Sequence, residues 1–152
     1  NIALHQIFTN VRFKKHVLEI RGTDRPPKGF EMAPAAFWVG LLTVDSIRDQ
    51  LMKIFSRWSK DERKIANANA CILKLSNIGP AGKSMMEWIN LFSVLAIDGL
   101  KIRSERLHID NEQDLFIPYF KMIKERGIPA IFMQDDFHNN EKPLGEFLRA
   151  KK

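Results

Sequence analysis

The sequence predicts an α+β fold that is mostly helical, with a few strands confined to its N-terminal part. Residues Phe13 to Arg21 alternate as a strand's period of two requires, with Leu18 and Ile20 on one side and Val17, Glu19 and Arg21 on the other. Almost everything after Ala33 carries apolar residues at helical spacing. Between the two lies Arg25-Pro26-Pro27-Lys28-Gly29, a turn composition. At 152 residues the chain fits one domain, with a strand region at 1–32 and a helical region at 33–152. A chain of this length buries roughly 70% of its unfolded surface.

Asp45 opens a helix in which Ile47, Leu51, Ile54, Phe55 and Trp58 form one apolar stripe. A break at Ser59 or Lys60 precedes a second helix, from Asp61 through about Leu75, whose inward face is Ile65, Ala68, Ile72 and Leu75. Ser76 to Lys83 is a loop, and Ser84 and Glu87 after it have capping-box spacing. A long helix follows to about Arg103, burying Trp88, Leu91, Phe92, Leu95, Gly99 and Ile102, with close helix packing expected at Gly99. A further helix spans about Asp110 to Arg126 with a kink or fresh start at Pro118, and Gly127 ends it. Pro129 to Gln134 reads as extended, Asp135-Asp136-Phe137-His138 as a loop, and Asn139 to Pro143 as the lead into a last short helix through Leu148.

Composition narrows the class. The 45% hydrophobic content, with eleven Phe and three Trp, suffices for a packed core, and 28% charged residues argue against a membrane protein. No apolar run approaches the ~20 residues of a membrane span. The single Cys71 cannot form an internal disulfide and is expected to be a small core residue, so a reducing cytoplasm is the simplest home. Asn1 rather than Met opens the chain, as expected of a cut or processed product, and no secretory signal is evident. The net charge is +6, and the stretch from Arg12 to Lys28 alone holds six Lys/Arg against Glu19 and Asp24, a net of +4 suited to an anionic ligand such as a nucleotide phosphate.

Two motifs look catalytic and fail on spacing. Gly79-Pro80-Ala81-Gly82-Lys83-Ser84 ends like a phosphate loop, but Asn77 stands where that motif needs its first Gly, and no strand precedes it. His5, His16, His108 and His138 lack the paired spacing of a zinc site, and Asp135 and Asp136 fit a solvated turn.

Glu19 and Arg21 are the stronger signal. A carboxylate is a hard oxygen ligand for Mg²⁺, and a guanidinium two residues on the same strand face can hold phosphate oxygens with its planar donors. Together they suit phosphoryl transfer, although an exposed ion pair would read the same way in isolation.

The surrounding text is more specific. The run from Phe8 to Leu42, Phe8-Thr9-Asn10-Val11-Arg12-Phe13-Lys14-Lys15-His16-Val17-Leu18-Glu19-Ile20-Arg21-Gly22-Thr23-Asp24 through Pro34-Ala35-Ala36-Phe37-Trp38-Val39-Gly40-Leu41-Leu42, closely resembles the glutamate–cysteine ligases of the plant and proteobacterial type, relatives of glutamine synthetase. There the matching text reads roughly Val-Arg-Leu-Lys-x-Tyr-Leu-Glu-Met-Arg-Gly-Ala-Asp and Leu-Pro-Ala-Phe-Trp-Val-Gly-Leu-Leu. Arg57-Trp58-Ser59-Lys60-Asp61-Glu62-Arg63, Asp98-Gly99-Leu100 and Phe116 to Gly127 continue the likeness more faintly.

The resemblance implies the C-terminal part of a ligase catalytic domain, its N-terminal strands forming the edge of a glutamine synthetase-like antiparallel sheet. It also implies that further strands and metal-binding acids lie upstream in the family enzyme. The implied reaction is ATP-dependent: glutamate's γ-carboxylate is phosphorylated, and cysteine's amine then displaces phosphate to give γ-glutamylcysteine, the first step of glutathione biosynthesis. Glu19 becomes a Mg²⁺ ligand and Arg21 the catalytic clamp on the phosphoryl group. Arg12 and Asp24 are substrate- or nucleotide-binding candidates, Asp24 by orienting Arg21. On a single strand Arg12 falls on the face opposite Arg21, so a bulge would be needed to unite them. Trp38 is expected to pack, and Lys83 to make at most a supporting contact. The longer turn from Arg25 to Met32, with two prolines, departs from the family pattern.

Without the upstream part this piece is expected to be inactive. The rival reading is a non-catalytic helical interaction or regulatory module whose exposed strand edge pairs with another chain, including a second copy. A basic nucleic-acid binder is the third reading, but the sequence has no groove-reading helix or aromatic stacking platform.

Overall fold

A computed structural model describes residues 11–20, 22–23, 26–72, 74–140 and 143–150, with backbone alone at 12–14, 148 and 150. Two short strands, β1 (Val11–Lys14) and β2 (Val17–Ile20), pair antiparallel, and the other elements among the described residues are helical. The helices are α1 (Ala33–Leu42), α2 (Asp45–Ser56), α3 (Lys60–Ala70), α4 (Met85–Leu107), α5 (Ile117–Arg126), α6 (Pro129–His138) and α7 (Leu144–Ala150). Short 3₁₀ turns at Pro80–Gly82 and Glu112–Leu115 precede α4 and α5. None of the described helices is long and apolar enough to cross a membrane.

Helix α1 is apolar on every side because it is covered on more than one. Its small residues Ala33, Ala36 and Gly40 are buried, and it lies against α4 more extensively than any other two helices meet. The crossing is close enough that a Cβ on Gly99 would strike the Gly40 carbonyl, and one on Gly40 the Ala96 carbonyl. This is the tight packing expected of Gly99. Around it Leu41, Val44, Ile47, Leu51, Leu100 and Phe116 close the core.

Caps fix where the helices begin. Ser59 accepts from the Glu62 N–H and the Glu62 carboxylate from the Ser59 N–H, and Ser84 and Glu87 repeat the arrangement at α4. Pro118 lies in the first turn of α5 after the 3₁₀ turn, the fresh start expected there, and Gly127 ends that helix at φ +82°.

Several expectations are overturned. The alternating stretch is not one strand: Lys15 and His16 turn the chain back on itself, Lys15 at φ +54°. Within β2, Val17 and Leu18 are 60% and 54% exposed, while Ile20 is half-buried. Helix α3 stops at Ala70, five residues short, and near its end the Asn69 side-chain amide donates to the Ile78 carbonyl (3.0 Å) of the following loop. Its supposed inward face is outward, with Ile65, Ala68 and Ile72 exposed, and Cys71, expected in the core, is an exposed free thiol. The buried line of α4 runs through Ser93, Ala96, Leu100 and Ser104 beside Trp88 and Gly99, while Ile102 faces solvent, and the helix continues to Leu107. Pro129 opens a helix instead of a strand: Ile128 takes the extended conformation favoured before proline, and Pro129 then stands in a first turn that needs no N–H. Asp135 to His138 are thus helical.

Candidate functional site

The hairpin brings Arg12 and Glu19 together in register. Cα partners run Val11↔Ile20, Arg12↔Glu19, Phe13↔Leu18 and Lys14↔Val17. Directly opposed residues share a face of an antiparallel ladder. The register therefore makes Arg12 the cross-strand partner of Glu19. The two-residue turn at Lys15 and His16 does this, because it reverses the parity of every residue before it relative to every residue after it. Glu19 itself is half-buried at the far end of β2 from the turn. Arg21 and Asp24 lie outside the described residues.

Glu19 supplies one oxygen ligand of the type Mg²⁺ prefers, and Mg²⁺ asks for six in near-octahedral order. Among the described residues no group of three or more His, Cys, Asp or Glu is placed to hold a metal. Glu19 brings one carboxylate, and the described residues around it do not make up a set that could hold such an ion.

The segment leaving β2 is tied to the helical body. The Trp38 indole N–H, on α1, donates to the Thr23 hydroxyl at 3.2 Å. The Trp38 ring meets Phe37 edge-on at 5.2 Å, and Phe37 lies 5.4 Å from Phe116. Trp38 was expected only to pack; its polar handle is the signal that sequence reasoning passed over, since a partly buried indole N–H usually finds an acceptor. The turn that follows holds its own shape, the Gly29 N–H, at φ +90°, donating to the Glu31 carboxylate at 3.0 Å. A hollow of about 160 Å³ nearby, bordered by Phe30, Met32, Leu115 and Pro118, does not include Glu19.

The phosphate-loop lookalike is occupied by protein acceptors. Ala81, at φ +53°, donates its N–H to the Glu62 carboxylate (2.8 Å), Gly79 to the Lys83 carbonyl (2.7 Å), Lys83 to the Pro80 carbonyl (3.2 Å) and Ser84 to Glu87 (2.7 Å). The Trp88 indole N–H donates to the Pro80 carbonyl at 3.0 Å. Amides so engaged leave no nest for a phosphate. The Ala81 N–H, with the Ser59 N–H and hydroxyl, holds the Glu62 carboxyl below its ordinary range against a small opposing effect of burial.

Four residues of the segment Arg57 to Arg63, namely Trp58, Ser59, Glu62 and Arg63, make structural contacts. Trp58 meets Phe55 and Trp88 edge-on at 5.0 and 4.8 Å, Ser59 and Glu62 cap α3, and Arg63 donates to the Phe55 and Trp58 carbonyls at the end of α2. The Gly40 and Gly99 segments meet at the α1–α4 crossing. Comparison of the chain with protein-family models, curated proteins and solved structures finds no match.

Proposed function

We propose that this chain is the C-terminal part of an ATP-dependent glutamate–cysteine ligase, with its hairpin contributing the edge of a glutamine synthetase-like antiparallel sheet. The observation that carries the reading is the Val11–Asp24 text with Glu19 and Arg12 opposed in an antiparallel register. An acid and an arginine at paired positions suit a site where phosphate and metal charges are balanced together. In this reading Glu19 is a Mg²⁺ ligand, joined by acids from outside the described residues, and Arg21 is the clamp on the phosphoryl group. Arg12 and Asp24 bind substrate or nucleotide. The substrates are glutamate, cysteine and ATP, the product is γ-glutamylcysteine, and the setting is cytoplasmic.

Incubation with glutamate, cysteine and Mg-ATP tests it. The protein carrying this sequence together with the upstream part of the ligase forms γ-glutamylcysteine and releases phosphate, whereas the 152-residue chain alone gives little or none. Absence of product from the longer protein would refute the reading, and brisk turnover by these residues alone would refute the need for upstream acids.

One observation favours a second reading, a non-catalytic helical interaction or regulatory module. A hairpin of two strands is marginal in water by itself, and this one leaves Val11, Val17 and Leu18 exposed beside its outer edges. Such an edge accepts a further strand from a partner or a second copy. Light scattering on the isolated chain distinguishes the two: concentration-dependent dimers favour the module, and a monomer that associates only with the upstream part favours the ligase.

A further inference from the structure

We propose that Trp38 is a positioning residue: through Thr23 it fixes the strand that carries Glu19 against the helical body. This rests on the ligase reading for what Glu19 does, and on geometry alone for the tether. Three observations meet here. The half of strand β2 next to the turn gains little from burial, since Val17 and Leu18 are more than half exposed, and even Glu19 and Ile20 are only half-buried. Thr23 lies four residues after Glu19, and its hydroxyl accepts from the Trp38 indole N–H at 3.2 Å. Trp38 in turn is held firmly: it sits two residues before Gly40, whose backbone is locked against Gly99, and its ring packs against Phe37 and the core.

The tether therefore joins a strand with no fully buried residue to the helix that meets α4 at the closest crossing. A hydrogen bond from an indole seated on the core fixes the distance of Thr23 from α1. A site that needs a carboxylate at a defined point needs its strand held by something better ordered than itself. Trp38 contributes a fixed donor, Thr23 a fixed acceptor, and Glu19 inherits the placement.

Hydrogen exchange of the chain, read by mass spectrometry beside thermal melting, tests the tether. Thr23→Val keeps the side chain's size and removes the acceptor; Thr23→Ser keeps the acceptor; Trp38→Phe removes the donor. Thr23→Val and Trp38→Phe are expected to speed exchange across residues 17–23 about fivefold, as loss of one hydrogen bond predicts. Peptides from α1 and α4 should keep their wild-type rates in Thr23→Val, and Thr23→Ser should keep them throughout. Wild-type exchange across 17–23 in Thr23→Val, or equal acceleration in α1 and α4, overturns the proposal. Substrates are absent from this measurement, so failure of the ligase reading shows separately, as a Glu19→Gln protein that still makes γ-glutamylcysteine.

Discussion

Gly99 faces the carbonyl of Gly40 at the crossing of α1 and α4, with no room for a methyl group between them. The contact is backbone against backbone, so no flexible side chain can yield to an intruder. Gly99→Ala and Gly40→Ala must push the helices apart, and each is expected to cost about 1–3 kcal/mol or more. For a chain of this size every kcal/mol lowers the melting temperature by roughly 2–4 °C. Chemical denaturation checks the prediction, and a Gly99→Ala protein as stable as wild type would mean that the helices are not in contact there.

The cap of α4 is a second, smaller test. Ser84→Ala removes the acceptor for the Glu87 N–H and is expected to cost about 1 kcal/mol, most of which Ser84→Thr or Ser84→Asp should restore. Urea unfolding of the three variants gives the ranking.

Glu62 sets a pH dependence of known sign. Its carboxyl titrates lower in the folded chain than in the unfolded one, chiefly because the Ala81 N–H donates to the ionised form, with the Ser59 N–H and hydroxyl adding to it. The stability this provides is fully present above the unfolded glutamate value of about 4.3 and is lost as pH falls through the folded value. Glu62→Gln is expected to be less stable than wild type at pH 7, with the gap narrowing as pH falls below about 4.3. Thermal melts of both proteins from pH 7 to pH 3 check it; a gap constant with pH would show that the ionised carboxylate is not what the loop amide recognises.

Cys71 closes α3 at the surface. Its thiol is expected to react with a disulfide reagent in the native protein at nearly the rate seen in denaturant. Protection of the native thiol by more than about tenfold would indicate burial, because reaction would then wait for opening of the structure.

How much was legible in the sequence depended on whether a signal was local. Ser84 and Glu87 announced the start of α4, and Pro118 and Gly127 bounded α5, because caps and breakers act within one turn of where they stand. The hairpin was not legible: Lys15 and His16 carry none of the Gly or Asn that marks such a turn, so the stretch read as one strand and the pairing of Arg12 with Glu19 went unseen. The face of α3 was misassigned for a different reason. Periodicity fixes that Ile65, Ala68 and Ile72 share a side but not what, if anything, covers it. The tether from Trp38 to Thr23 spans fifteen residues and depended on the placement of α1, which no local pattern encodes.

The measurement that bears most directly on the ligase reading is γ-glutamylcysteine formation by the protein that carries this sequence with its upstream part, comparing wild type with Glu19→Gln. The account predicts a rate loss on the order of a hundredfold or more, with melting temperature and circular dichroism unchanged. A Glu19→Gln protein that forms γ-glutamylcysteine at the wild-type rate would contradict it.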